Sequence, residues 1–396
     1  MNTPQFRGLD NNKLNKLYGL NTPCYVIDEA RLIANLEVLK RVEDESGCKI
    51  LLAQKAFSNY DMYPVISEYL AGTEASGLYE ARLGATRMPG KEVHVFCGAY
   101  KNNEFEELLQ YADHIVFNSP AQIKKFGPEE KKTGKSIGLR INPEFSTQED
   151  HEIYDPCSEK SRLGTTYYEW QKDMDEESIA MLDGLHFHTL CEQNSDDLAK
   201  TLDAFLVDFG QYLPKMKWLN MGGGHHITRD DYDIDLLKQC IARVKEQYDI
   251  EVYLEPGEAI ALNAGYLITS VLDVVNKKNI NIGILDMSAA CQTPDVIEMP
   301  YRPPLMNSAD EGEKKYTYLL GGPSCLSGDV IGSYSFDEPL IEGSMLVFGD
   351  MAIYSMCKNN TFNGMPLPSI YLLDKDGEIS LIKSFGYNDF EYRLGS

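Results

Sequence analysis

The sequence contains no run of about 18 apolar residues, so no segment predicts a membrane-spanning helix. Its nine cysteines include no CxxC pair, and an odd, scattered set predicts reduced thiols rather than a disulfide framework. Positive charge is scarce: 37 Lys and Arg against 61 Asp and Glu leave a formal charge of −24. Such a chain repels phosphate, which argues against nucleic-acid and anionic-membrane partners and is compatible with a cationic ligand. The opening stretch MNTPQFRGLDNNKLNKL lacks the apolar core of a secretory signal, so the expected location is cytoplasmic. No GxGxxG turn follows an early strand, and GATRMPGKE has the wrong spacing for a P-loop.

What remains is an ordinary globular composition, 43% hydrophobic and 25% charged, over 396 residues. That length accommodates two domains, or a large barrel with a smaller unit. KILLAQK, GTEAS, EVHVFCG, HIVFNS, SIGLRINP, LDGLHFHT, WLNMGGG and EVYLEPG read as eight strands, most separated by helix-like segments such as NEFEELLQYA. This rhythm predicts an α/β fold, a TIM-like (β/α)8 barrel spanning 28–264. Beyond it, YLITSVLDVVN, KKYTYLLGGPSC, GSMLVFGD and PSIYLLDKDGEISLI alternate with turn residues. A second, mostly β domain is therefore expected over 1–27 and 265–396, TPCYVID lying at its junction with the barrel.

Alternation along the strands predicts which side chains face the barrel interior. Leu185 and Phe187 suit the helix-packed face, which turns His186 and His188 inward. By the same argument Arg140 and Asn142 point in, as do Tyr253 and Glu255, while Lys55 shares the face of Leu51 and Ala53. Lys55, Arg140, His188 and Glu255 thus gather near the carboxyl ends of different strands, where barrel enzymes carry their chemistry. A solvated strand end is the bland reading of a single lysine, and four strands pointing to one place outweigh it. His186, His188, His225 and His226 have no HExxH or cysteine cluster to complete a ligand set, so no metal is expected.

Glycine amides in MGGGHH and the helix start in EPGEA suit a phosphate at the loops after the seventh and eighth strands. An interior carboxylate, Glu255, could be a structural ion pair; opposite a pyridine nitrogen it would keep that ring protonated and electron-withdrawing. An amine able to form an imine, a phosphate cradle and a pyridinium partner together describe pyridoxal 5'-phosphate.

With these residues the sequence resembles the fold-type III pyridoxal-phosphate decarboxylases, the alanine-racemase-like barrels. The likeness runs nearly end to end through TPCYVID, AQKAFS, GTEASG, LRINP, KSRLG, GLHFHT, GGG, EPGEA, GGPSCLSGD, MAIYS and TFNG. Within that family EPGEA and HFHTLCE are most similar to the carboxynorspermidine/carboxyspermidine decarboxylase group. The resemblance implies a cofactor-bearing Lys55, a ring-stacking His188, phosphate-binding Gly222, Gly223, Gly224 and Gly257, a pyridinium partner in Glu255 and a Tyr354 near the phosphate. It further implies a homodimer in which Cys325 enters the partner subunit's site and protonates the product. Substrate contacts are expected at Glu258, His225, Arg162, Asp295 and Leu326; for Arg162 and Arg140 a buried structural role is an equal alternative.

Departures from the family pattern bear on the substrate. Ornithine- and diaminopimelate-type members have arginine where this chain has Glu258, and an acidic residue where it has Leu326. A carboxylate would be repelled by phosphate, so Glu258 is expected to face elsewhere and receive a substrate amine. A carboxylated triamine fits this pattern better than a short diamino acid. Decarboxylation of ornithine or diaminopimelate, and an inactive regulatory homologue, stay as alternatives; Glu255 speaks against a racemase.

Overall fold

The computed structural model describes residues 4–148 and 155–395. It divides into two compact units, one formed by Ile33–Ile260 and the other by Met1–Leu32 with Ala261–Ser396.

The first strand, β1 (Cys24–Asp28), belongs to the second of these. Eight strands then close into a parallel barrel: β2 (Lys49–Ala53), β3 (Gly72–Ala75), β4 (Glu92–Phe96), β5 (His114–Phe117), β6 (Ser136–Ile141), β7 (Gly184–Phe187), β8 (Trp218–Asn220) and β9 (Glu251–Leu254). Closure comes from β9 pairing back onto β2, with Lys49 opposite Tyr253 and Ile50 opposite Leu254. These are the eight strands read from the sequence. Helices cover the outside, so almost every strand residue is buried on either face, as parallel sheets require. The helix Ile234–Tyr248 shows how: Asp233 caps its first turn, Leu237, Cys240, Ile241 and Val244 form the buried stripe, and Asp249 ends it at φ +54°.

Inside the barrel, Leu51, Phe96, Val116, Trp218 and Tyr253 pack as one cluster. Glycine makes room for the indole of Trp218: a Cβ on Gly184 would lie 2.0 Å from it, and one on Gly138 2.4 Å. The indole N–H is satisfied by Ser136 Oγ at 2.8 Å.

The other unit holds a sheet with β10 (Gly265–Asn276), β11 (Asn281–Leu285), β12 (Tyr316–Gly321), β13 (Val330–Phe336), β14 (Met345–Gly349), β15 (Ser369–Leu373) and β16 (Ile379–Lys383). The order is β13-β12-β11-β10-β1-β15-β16, with β14 also on β10. The first half of β10 pairs with β1 and β14 and the second half with β11, across a register shift between Val271 and Asp273. Such an irregularity bends a strand and lets it serve two partners. Phe6, Leu14, Leu17, Val26, Tyr266, Ile268 and Val347 lie in its core.

Candidate active site

Each barrel strand ends at the same mouth, and the residues just past those ends carry the polar chemistry. Lys55 lies in a turn two residues beyond β2 and is exposed. The turn is pinned by the fully buried Gln54: its backbone N–H donates to the Glu74 carbonyl at 3.1 Å, its amide donates to the Glu80 carbonyl at 2.9 Å, and it accepts from Tyr63 Oη at 2.9 Å. Ala53 N–H donates to the Pro256 carbonyl, tying this turn to the loop after β9. A Cβ on Gly257 would stand 2.7 Å from that of Ala56, so the two loops meet only because Gly257 has none.

Glu255 is buried with a donor on each oxygen: His186 Nε2 at 2.9 Å on Oε2 and Asn220 Nδ2 at 2.5 Å on Oε1. Burial alone would raise its pKa, but His186 and the charge of Lys55 hold it below the usual carboxylate range. Glu74, on β3, goes the other way. Burial pushes its carboxyl up to about 8 against the opposing charge of Lys55, and its Oε2 has no partner. The mouth thus holds one anionic and one protonated carboxyl at neutral pH.

His188 accepts from Gly223 N–H through Nδ1 at 3.0 Å. Burial, reinforced by the charges of Lys55 and Arg140, lowers its pKa well below 6.5, so it is a neutral imidazole. Arg140 is buried over the Phe96 ring at 4.5 Å and donates to the His188 carbonyl at 3.2 Å. Desolvation brings its pKa to about 10, which leaves it a cation at neutral pH.

The glycine run works by close approach as much as through its amides. Gly222 N–H is already bonded to Asn220 Oδ1 and Gly223 N–H to His188. A Cβ on Gly223 would meet the Glu255 carbonyl at 2.1 Å, and one on Gly224 the Leu190 carbonyl at 1.9 Å. Gly222 and Gly224 also adopt φ of +71° and +81°, which other residues rarely adopt.

Other sequence-selected residues fall as follows. Glu258 opens a single helical turn and accepts from His226 Nε2 at 3.0 Å; burial opposes the imidazolium, but Glu258 raises its pKa. His225 is buried with Nδ1 2.7 Å from Tyr232 Oη, and burial lowers it to about 4. Arg162 is exposed, so the buried structural role weighed for it does not hold; its carbonyl accepts from Asn118. In the sheet unit, Cys325 and Leu326 are exposed, and Tyr354 takes φ +48°. Asp295 is buried on Tyr301 Oη at 2.5 Å and Ser355 Oγ at 3.1 Å.

Pairing could not be read from one dimension. Gln54, Glu74, Asn220 and Phe96 were missed, and His186 was known only as an interior residue and a candidate ligand without a set. Gln54 did carry a signal, as a polar residue directly after the apolar run ILLA.

At the opposite end of the barrel, Glu92, His94 and His114 have donor atoms within 4.8 Å of one another. The two imidazoles are stacked 3.9 Å apart at 16°, so their lone pairs run side by side instead of converging. Lys49 Nζ, 2.8 Å from Glu92, already balances that carboxylate. Tetrahedral coordination at about 2.0–2.1 Å would need the rings to splay.

A (β/α)8 barrel whose mouth presents a lysine, a neutral imidazole and an anionic carboxylate has the groups of an enzyme site, including an amine of the kind that forms imines. The family model for the pyridoxal-dependent decarboxylase, C-terminal sheet domain, matches residues 24–352, and the chain belongs to the pyridoxal-dependent decarboxylases. It is 40% identical to the carboxynorspermidine/carboxyspermidine decarboxylase of Campylobacter jejuni, over 94% of this chain and 98% of the relative. It is 38% identical to the carboxyaminopropylagmatine decarboxylase of Synechocystis sp., over 96% and 97%. The crystal structure of carboxynorspermidine decarboxylase complexed with norspermidine from Campylobacter jejuni superposes with a TM-score of 0.86 at 39% identity, covering 94% of this chain and all of that one.

Proposed function

We propose that this chain decarboxylates carboxynorspermidine and carboxyspermidine to norspermidine and spermidine in polyamine synthesis, as a cytoplasmic homodimer using pyridoxal phosphate. The observation that carries the chemistry is the joint presence of Lys55 and an anionic Glu255 at one barrel mouth. The near end-to-end similarity to the Campylobacter jejuni enzyme supports the substrate.

The residues fit the cofactor. Lys55 is the amine that would hold its aldehyde, Glu255 would accept from its ring nitrogen, and His188 offers a flat neutral face. Gly222, Gly223, Gly224 and Gly257 would line the phosphate side. When bound, pyridoxal phosphate supplies an electron sink for the pair left behind by departing carbon dioxide. Glu255, as an anion, stabilises a proton at the ring nitrogen and so deepens that sink. Lys55 would hold the cofactor between turnovers, its amine standing where the substrate α-amine would bind. Cys325 of the second copy delivers a proton to Cα, where the carboxylate was. Glu258, Asp295, His225, Arg162 and Leu326 are the proposed substrate contacts, with Glu258 taking an amine beside His226.

A second reading has direct support: the similarity to the carboxyaminopropylagmatine enzyme is nearly as high. The test is carbon dioxide release by the purified protein with pyridoxal phosphate. Carboxynorspermidine, carboxyspermidine, carboxyaminopropylagmatine, ornithine and diaminopimelate are supplied separately. Turnover fastest on the first two is expected, and abolished in Lys55→Ala together with the visible band of the lysine-bound cofactor. Faster turnover of the agmatine derivative selects the second reading, and faster turnover of ornithine or diaminopimelate overturns both.

A further inference from the structure

His186 is a barrel-interior imidazole at the carboxyl end of β7, 1% exposed. Its Nε2 reaches Glu255 at 2.9 Å, whereas its Nδ1 is buried with no partner. Phe96 packs against the ring, centroids 5.7 Å apart and planes at 16°. Its register neighbour on β6 is Arg140, whose guanidinium lies over the same Phe96 ring. An orphaned Nδ1 settles the proton: an N–H there would be a buried donor with nothing to give to, so the hydrogen resides on Nε2 and points at the carboxylate. Burial lowers the pKa of His186, in line with a neutral ring that donates.

Glu255 therefore receives one donor per oxygen, from His186 and from Asn220, and each oxygen keeps a further lone pair. Asn220 also accepts from Gly222 N–H, and Glu255 N–H donates to the Gly222 carbonyl at 2.7 Å, which couples the carboxylate to the glycine run. The carboxylate cannot swing without breaking these bonds.

We propose that His186 is a positioning residue: its Nε2–H fixes and charges Glu255 so that the carboxylate's remaining lone pairs serve the pyridine nitrogen of the cofactor. Phe96 sets the ring plane from which the donor points. This rests on the functional reading above and adds to it a residue that does not itself touch cofactor or substrate. An apolar residue would avoid the orphaned Nδ1; the gain from histidine is at Glu255.

The test uses full-length protein and pyridoxal phosphate labelled with 15N in its ring. His186→Phe removes the donor while keeping a flat ring against Phe96, His186→Leu removes it with a smaller side chain, and His186→Gln retains an N–H donor. Three quantities are read: the 15N shift of the bound ring, the cofactor dissociation constant and the thermal midpoint. In the Phe and Leu variants the ring nitrogen should move toward its unprotonated position. Affinity should fall roughly 10- to 100-fold, the scale of a hydrogen bond to a charged group. The Gln variant should recover most of both. An unchanged ring shift in a folded Phe or Leu variant overturns the inference, as does a Gln variant no better than Phe. Loss of fold in all three would assign His186 to packing and overturn it too. A wild-type protein that binds no pyridoxal phosphate removes the functional reading and this inference together.

Discussion

Glu130 lies in the helix Pro120–Thr133 with both carboxyl oxygens buried and unpartnered. Burial pushes its pKa up to about 9, so the fold holds a neutral acid at a wholly buried position of that helix. A carboxyl raised in the fold binds its proton more tightly there than in the unfolded chain. Stability therefore falls as pH climbs from the unfolded value of about 4.3 toward about 9. Glu130→Met should raise stability at pH 8 by about 1–3 kcal/mol, the cost of an unsatisfied buried polar group. The gain should shrink toward pH 5; denaturant melts at both pH values check it, and an equal gain at both would refute the protonation argument. Nothing in PAQIKKFGPEEKKT singles out Glu130 from Glu129 beside it, because only the packing of the helix decides which glutamate turns inward.

At the scale of elements, the barrel was legible because each strand is a short apolar run bounded by turn residues, and β/α alternation has few other solutions. The buried Arg140 and Glu255 near the mouth followed from the two-residue period, whereas Lys55 stands exposed in the turn after β2, where that period has ended. Partner choice did not follow from it. Glu258 was read as a carboxylate for a substrate amine; that His226 Nε2 also donates to one of its oxygens, from the loop after β8, was not foreseen. The glycines of β6 and β7 likewise have no sequence signal; their role is to admit Trp218 from the neighbouring β8. Gly184→Ala should destabilise by about 1–3 kcal/mol or more through overpacking. Gly98→Ala, whose nearest new neighbour would be Leu163 at 3.7 Å, should be close to neutral. Paired thermal melts compare them, and equal effects would contradict the role given to Trp218. Gly223→Ala should fold but retain the cofactor poorly, since the new methyl would press on the backbone that presents Glu255; retention through gel filtration reads this out.

For the molecule as a whole, the charge of −24 spreads a field that favours a polycationic substrate over a zwitterion. With carboxynorspermidine, kcat/KM should fall several-fold between low salt and about 0.15 M salt, where screening sets in within roughly 8 Å. The value of kcat should barely move, because chemistry in the mouth follows capture. A salt-independent kcat/KM would show that local contacts alone bring the substrate in. Among the described residues no helix is long and apolar enough to cross a membrane.

The indole of Trp218, seated against Gly138 and Gly184, has one more consequence. The chain has two tryptophans, and both Trp218 and Trp170 belong to the barrel unit, each almost wholly buried. Their ultraviolet emission is thus a lamp in one room of a two-room house. Denaturation followed by that light records the barrel alone, while circular dichroism of the backbone records both units. A gap between the two midpoints would reveal a state with one unit melted and the other intact. Coincident curves would mean that barrel and sheet live and die together.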